Sequence, residues 1–250
     1  MGHRPRILLC EHDEILNARL ALTLEHAGFW VDGVHTTQHA MQKLAARNYQ
    51  AMVVNLLLQN QDALSFSHEL RMLGLRLPTL VLPASAGQAT ASAEAVTAPH
   101  DREPDWVRKA ADQARAIFAV KSACQRSRGF RPRILHMEAD AFSAGLVNAA
   151  LRSCAELVQV GDSHALDGAL DRPEFDLILF NPPASELERD DILHRIAAMC
   201  PDTPVTIQTC GDATGDFVNG EVIGHGSAYV VHALRTLMLH AMEVPVRAQA

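Results

Sequence analysis

Short apolar runs alternate along this chain with longer segments whose apolar residues recur at helical spacing. The run Ile7–Cys10 stops at polar Glu11, as a buried parallel strand does at its carboxyl end. The next segment has a helical pattern that Asp13 can cap and Gly28 ends. Its apolar face is predicted to hold Ile15, Leu16, Ala18, Leu20, Leu22 and Leu24. Strand and helix then alternate strictly, which predicts an α/β fold with a parallel sheet.

The same order of elements occurs twice. Residues Arg4–Leu8 reappear as Arg131–Leu135, at an offset of 127. Strands are predicted at 7–10, 30–34, 51–54, 79–82 and 94–97 in the first half, and at 134–137, 157–160, 177–180, 205–208 and 221–223 in the second. Helices are predicted at 13–28, 37–47, 62–73 and 106–122, and again at 141–154, 163–170, 190–199 and 228–242. The repeat predicts a domain over 1–125, a linker over 126–130 and a second domain over 131–250.

Composition narrows the class of protein. The 250 residues are 48% hydrophobic and 20% charged, which is typical of globular domains. A net charge of −7 without a Lys/Arg cluster argues against direct nucleic-acid binding. Five cysteines without a C-x-x-C motif, and the lack of a signal peptide or an apolar run of membrane-spanning length, predict a cytoplasmic protein with reduced core thiols.

Several segments resemble the receiver domains of two-component response regulators. The similar segments are Arg6–Asp13, Leu24–Phe29, Ala51–Asn55 and Asp62–Leu64 in the first half, and Arg133–Asp140 and Phe175–Asn181 in the second. The resemblance implies two flavodoxin-like, doubly wound, five-stranded parallel sheets. It also implies positions for the family's phosphorylation chemistry.

Most of those positions have lost the residue that the family uses. The phosphoacceptor aspartate corresponds to Asn55 and Asn181, so the resemblance implies that neither half can be phosphorylated. The acidic pair that holds Mg²⁺ corresponds to His12 and Asp13 in the first half, and in the second to Ala139 and Asp140. No catalytic residue, metal or cofactor is therefore expected.

The remaining positions of the resemblance follow the fourth and fifth strands. The family's Ser/Thr corresponds to Pro83 and Thr209, its lysine to Ala98 and His225, and its switch aromatic to Ala95 and Val222. From Pro83 to Ala98, and from Thr209 to His225, the chain is too short for a full strand–helix–strand unit. The fourth helix is predicted to be shortened or missing in each half.

The last helix, predicted around Tyr229 to Met242, is apolar over more than one stripe. It is therefore either deeply buried in its own domain or forms a self-association or inter-domain face, which includes a possible homodimer. Cys10 ends the first strand beside the vestigial site, although nothing in the sequence indicates a lowered thiol pKa.

The leading functional hypothesis is a tandem pseudo-receiver, a phosphorylation-independent and non-enzymatic signalling protein that binds another protein. The expected partner is a histidine kinase, a receiver or an output protein. The alternative is a sensor of a nucleotide or another anion in the crevice at the strand carboxyl ends of the second half, where Asp140, Thr209 and His225 are predicted to converge.

Overall fold

The computed structural model describes residues 4–59, 61–82, 117–126, 130–171, 174–181, 185–207 and 231–238, together with the backbone of 216–218 and 221–223. Four predicted site residues, Pro83, Ala98, Thr209 and His225, lie outside the described residues. So do Ala95, the predicted strand 94–97 and nearly all of the segments in which the fourth helices are predicted to be shortened.

The described elements follow the predicted order, apart from β9, a strand that the sequence pattern did not predict. The first half contains β1 (Arg6–Cys10), α1 (Glu14–His26), β2 (Trp30–Val34), α2 (Thr37–Ala46), β3 (Ala51–Asn55), α3 (Ala63–Met72), β4 (Thr79–Leu82) and α4 (117–126). The second half contains β5 (Arg133–Met137), α5 (Ala141–Leu151), β6 (Glu156–Val160), α6 (Ser163–Leu170), β7 (Leu177–Phe180), α7 (Glu186–Met199), β8 (Val205–Ile207), β9 (Asp216–Val218), β10 (Glu221–Ile223) and α8 (231–238). None of the described helices is long and apolar enough to cross a membrane.

Eight of these strands form one continuous sheet in the order β2-β1-β3-β4-β8-β7-β5-β6, and every pairing is parallel. The prediction of two separate five-stranded sheets is therefore wrong. The edge of β4 where a fifth strand would pair is occupied by β8, with Leu80 opposite Val205 and Val81 opposite Thr206. The predicted fifth strand of the second half is β10, which instead pairs antiparallel with β9 in a separate ribbon.

The β4–β8 pairing has a physical reason. All residues of β4 and β8 are buried, so neither strand could remain at an exposed edge without leaving apolar side chains and unpaired backbone groups in water. With β4 and β8 paired at the centre of the sheet, the strands of the second half follow in the reverse of the order found in the first half.

Each face of the sheet carries one core cluster that draws on both halves. One cluster joins side chains of α1 with those of α6, α7 and α8; the other joins α2, α3, α4 and α5. Alternate residues of β1 point to opposite clusters, since Ile7 and Leu9 lie in the first while Leu8 and Cys10 lie in the second. The halves are thus packed together through shared cores.

The helices that end each half reach across to the other half. Arg235 of α8 donates a hydrogen bond to the Ala27 carbonyl oxygen at 2.6 Å, and its guanidinium lies 5.7 Å from the centre of the Phe29 ring. The apolar face of α8 is buried in the core that both halves share. The described part of α8 therefore has no apolar face left for the predicted homodimer, and of the predicted alternatives the inter-domain contact is the one observed.

Ion pairs between described residues also bridge the halves. Arg71 of α3 contacts Asp176 at 2.5 Å and donates to the Phe175 carbonyl oxygen at 3.2 Å. Arg76 contacts Asp202 at 3.1 Å. Residue 126, placed by the sequence in a linker over 126–130, is helical and belongs to the described part of α4. The domain boundaries themselves stay a prediction.

Candidate functional site

A buried carboxylate stands at the carboxyl end of β1. Glu11 is 0% exposed, and both of its carboxylate oxygens are engaged. Its Oε1 accepts a hydrogen bond from the Asp13 backbone N–H at 2.9 Å and lies 3.0 Å from His12 Nδ1. Its Oε2 accepts a hydrogen bond from Asn55 Nδ2 at 2.5 Å. A buried ionised group is tolerated when it is saturated with donors in this way.

Asn55 is the partner that the end of β3 supplies. It is 1% exposed, and its Oδ1 accepts a hydrogen bond from the Leu57 backbone N–H at 3.0 Å. These two contacts fix the amide orientation, because the NH₂ group must face the carboxylate and the oxygen must face the N–H. An aspartate at this position could not donate to Glu11 unless it were protonated.

The second half repeats the arrangement. Asn181, after β7, donates through Nδ2 to Oε2 of Glu138, and Glu138 Oε1 accepts from the Asp140 backbone N–H at 2.8 Å. Glu138 is buried, whereas Asn181 is half-buried. Ala139 occupies the place of His12 and supplies no ring nitrogen. We call the two groups the Glu11–Asn55 pair and the Glu138–Asn181 pair.

The predicted acidic-pair residues Asp13 and Asp140 serve a different purpose. Both are exposed and cap helices: Asp13 Oδ1 accepts from the Leu16 N–H at 2.9 Å, and Asp140 Oδ2 accepts from the Ser143 N–H at 2.7 Å. The hydrogen bonds from the Ser143 backbone and side chain lower the pKa of Asp140. Neither carboxylate faces an asparagine of the pairs.

Glu11 and Glu138, the carboxylates that contact the asparagines, were not predicted as site residues from the sequence. A signal was available, since each is the first polar residue after the first strand of its half and the two stand at the repeat offset of 127. Asp13 and Asp140 were assigned to the acidic pair instead, because the resemblance places aspartates there. The turn after the strand decides between the two, because it directs the glutamate inward and leaves the aspartate at the helix N-terminus.

The backbone around Glu11 is held by the neighbouring strand. Asn17 Nδ2 donates to the carbonyl oxygens of Glu11 at 2.9 Å and Val34 at 3.1 Å, and His35 Nδ1 lies 3.0 Å from the same Glu11 oxygen. Gly33 leaves room for Asn17, because a Cβ at residue 33 would lie 2.4 Å from its Oδ1. These contacts join β1, β2 and α1 behind the pair.

Cys10 next to the pair is not set up for redox chemistry. It is wholly buried, and burial, with a contribution from the Glu11 charge, raises its pKa to about 12. The thiolate that would react with an oxidant is therefore scarce at neutral pH. Among the described residues, no group of three or more His, Cys, Asp or Glu side chains could hold a metal ion.

Both pairs lie at the same edge of the sheet, because all eight strands are parallel. β4 and β8 separate β3 from β7, so the two pairs are about 14 Å apart at the usual strand spacing. The edge where strand carboxyl ends meet is the usual ligand-binding edge of open α/β sheets. Here it carries two carboxylate–asparagine pairs.

The fold and the pairs define a doubly wound α/β protein built from a duplicated unit. No family model matches the chain. The chain is 35% identical over 79 residues to the transcriptional regulatory protein BasR of Escherichia coli, a match that covers 32% of this chain and 36% of BasR. It is 25% identical over 209 residues to the transcriptional regulatory protein TrcR of Mycobacterium tuberculosis, which covers 78% of this chain and 72% of TrcR.

Among solved structures, a sensor protein from Polaromonas sp. JS666 is 39% identical, with a TM-score of 0.32, and the similarity covers 35% of this chain and 71% of that one. The match to BasR spans only about a third of that protein's length. The chain is therefore similar in sequence to two transcriptional regulatory proteins.

Proposed function

We propose that this chain is a receiver-like signalling protein that is not phosphorylated at Asn55 or Asn181 and acts by binding another protein. The observation that carries the proposal is the closed hydrogen-bonding of the Glu11–Asn55 pair, which the Glu138–Asn181 pair repeats. Similarity to response regulators supports the signalling role.

The first argument concerns the nucleophile. An acyl phosphate forms when an anionic carboxylate oxygen attacks phosphorus. The Asn55 amide is neutral, its nitrogen lone pair is delocalised into the carbonyl group, and its oxygen already accepts from Leu57 N–H. Asn181 is likewise neutral. Neither residue supplies the charge that the reaction needs.

The second argument concerns the metal. Mg²⁺ requires several oxygen ligands in near-octahedral geometry. Both oxygens of Glu11 are occupied by donors, and His12 beside it offers nitrogen rather than oxygen. Asp13, the other carboxylate nearby, caps α1. Phosphoryl transfer depends on metal-assisted charge neutralisation, so this arrangement disfavours it further.

The third argument concerns the partner. A protein partner, whether a histidine kinase, a receiver or an output protein, agrees with the similarity to response regulators. The net charge of −7 disfavours direct contact with nucleic acid. The alternative of an anion sensor gains no support from Asp140, because its carboxylate is exposed and caps α5.

The experiment exposes the full chain to acetyl phosphate, and separately to beryllofluoride, in the presence of Mg²⁺, and measures intact mass and ¹⁹F NMR spectra. The unaltered protein is expected to show no adduct. The variant His12→Asp/Asn55→Asp is the matched control, since it returns carboxylates to the positions at which the resemblance places them. A stoichiometric adduct on the unaltered protein at Asn55 or Asn181 would overturn the proposal.

A further inference from the structure

Two thiols from different halves meet on one face of the sheet. Cys124 lies in α4, which precedes the second half, and Cys154 lies in the turn between α5 and β6. The Cys124 thiol is hydrogen-bonded to the Cys154 thiol. Cys154 also donates to the Leu151 carbonyl oxygen at 3.3 Å. Both side chains pack in the same core cluster, with Cys124 buried and Cys154 partly exposed.

The location of this thiol pair has a counterpart on the other face. There, α8 contacts the turn between α1 and β2, where Arg235 donates to the Ala27 carbonyl oxygen. Each helix that ends a half is thus attached to the turn after the first helix of the other half. One attachment uses a guanidinium group, and the other uses two cysteines that could be joined covalently.

We propose that Cys124 and Cys154 form a reversible disulfide when the protein meets hydrogen peroxide, and that the bond fixes α4 to the second half. The bond would close a loop of about 30 residues that contains β5 and α5. This redox site is independent of the proposed function, since it involves neither asparagine pair.

The chemistry needs only peroxide as the oxidant. The sulfur of Cys154, the less buried of the two residues, attacks one peroxide oxygen; the O–O bond breaks, a sulfenic acid forms and one water leaves. The Cys124 sulfur then attacks the Cys154 sulfur, and the sulfenic hydroxyl departs with the Cys124 proton as a second water. Two thiols are oxidised to one disulfide while both peroxide oxygens are reduced to water. A dithiol reductant reverses the reaction.

The two cysteines differ in burial and therefore have different roles in the oxidation. Burial, together with the neighbouring Cys154, raises the pKa of Cys124, so Cys124 stays a protonated thiol that peroxide reaches poorly. A sulfenic acid formed at Cys154, in contrast, already lies beside the Cys124 thiol. The expected product is therefore the disulfide rather than a higher oxide of Cys154.

The test treats the full chain with hydrogen peroxide, blocks remaining thiols, and digests it with trypsin without reduction. Trypsin places Cys124 in Ser122–Arg126 and Cys154 in Ser153–Arg189, because Pro173 protects the bond after Arg172. Each peptide contains one cysteine, so a linked product is unambiguous. Unfolding of the oxidised and reduced forms is followed by circular dichroism on heating.

We expect the linked peptide to form in nearly stoichiometric yield and to disappear with dithiothreitol. The oxidised form should melt roughly 4–10 °C higher than the reduced form, and this shift should be lost in Cys124→Ala and in Cys154→Ala. Cys200→Ala is the matched control, since Cys200 is a buried thiol outside the pair and this variant should still form the link. If Cys124→Ala or Cys154→Ala fails to fold, the presence or absence of the linked peptide in the unaltered chain tests the proposed disulfide.

Three outcomes would overturn the proposal. Cys154 could accumulate as a sulfinic acid without any linked peptide, or it could pair with a cysteine other than Cys124. The link could also join two copies of the chain, which a mixture of isotopically labelled and unlabelled protein would reveal.

Discussion

Replacing Asn55 by aspartate tests whether the Glu11–Asn55 pair is built for a neutral partner. The amide that now donates to Glu11 Oε2 at 2.5 Å would become a second carboxylate, and both positions are almost fully buried. Either the two carboxylates are both ionised and repel each other, or one of them takes a proton and restores a hydrogen bond. The state with the lower free energy determines how much stability the variant loses.

The size of the effect can be bounded. The loss of a hydrogen bond to a charged group costs about 1.5–3 kcal/mol, and two like charges about 4 Å apart near a protein surface repel by about 4 kcal/mol. Keeping an aspartate with an ordinary pKa of about 3.9 protonated at pH 7 costs about 4 kcal/mol. Because one carboxyl can take a proton instead of repelling the other, the cost of protonation is the upper bound. We expect the free energy of unfolding of Asn55→Asp to fall by about 2–4 kcal/mol at pH 7.

The sign of the pH dependence follows from the same reasoning. The variant's carboxyl pair has a raised pKa in the folded state, so the unfolded chain binds fewer protons than the folded chain between its ordinary pKa and the raised value. The loss of stability is complete above the raised pKa and diminishes as the pH falls toward about 4. Urea unfolding monitored by circular dichroism at pH 7.5 and pH 5, in EDTA, measures both values.

The double variant Glu11→Gln/Asn55→Asp is the decisive control. It exchanges the roles, because the amide introduced at position 11 can donate to the carboxylate introduced at position 55, while Leu57 N–H still donates to residue 55. We expect it to recover most of the stability lost by Asn55→Asp, as a double-mutant cycle would show. The reasoning is refuted if Asn55→Asp stays within about 0.5 kcal/mol of the unaltered protein, or if the double variant is no better than the sum of its parts.

Three further predictions follow from buried groups and from the junction of the halves. His136→Leu should raise the free energy of unfolding by about 1–3 kcal/mol in urea at pH 7.5, because His136 is wholly buried and neither ring nitrogen has a hydrogen-bond partner in the described structure. Burial lowers the His136 pKa to about 4, so the gain should grow as the pH falls from about 6.5 toward 4, where the unfolded histidine binds a proton. Arg71→Met should cost about 1–2 kcal/mol in the same assay, since it breaks the partly buried contact with Asp176. Residues 1–125 produced alone should not form a folded monomer, because β4 would become an exposed apolar edge; light scattering and circular dichroism would show this.

Each of these three predictions has a control variant or a result that would contradict it. Leu9 holds the position of His136 in the first repeat, so Leu9→His should destabilise the protein, and a neutral effect would contradict the account of His136. Arg195→Met removes exposed ion pairs with Asp167 and Asp191 and should leave the free energy of unfolding nearly unchanged. An Arg71→Met variant that is no less stable than Arg195→Met would make the junction pair unimportant. A monomeric fragment 1–125 that unfolds cooperatively would show that the β4–β8 pairing is dispensable.

Local structure was largely predictable because its causes are local. The apolar runs match β1 to β8 within a residue or two, and Gly28, with a φ of 95°, follows α1 where the sequence predicts its end. The cap of α1 was also predictable, since Asp13 accepts a hydrogen bond from the first turn of the helix. These features depend on neighbours in sequence.

Long-range pairing was not predictable from the same signals. An apolar strand such as β4 shows that it must be covered, but its pattern does not say by which strand, and β8 is as apolar as any predicted fifth strand. The helix pattern of α1 was likewise ambiguous, because apolar residues surround it. Ile15 is 74% exposed and Leu22 is 50% exposed, although both were predicted to face the core.

The way the halves are joined argues for a fixed binding surface rather than a switch. A conformational switch needs two packings of similar free energy. Here β4 and β8 pair at the centre of the sheet, and α4 and α8 each contact the other half, so a shift of either junction would disturb a close-packed core that both halves share. The pairs at the strand ends are closed by their own hydrogen bonds, which agrees with the proposal that neither asparagine is phosphorylated. The junction and the pairs therefore both support the proposed function, in which the chain binds its partner through one constant surface.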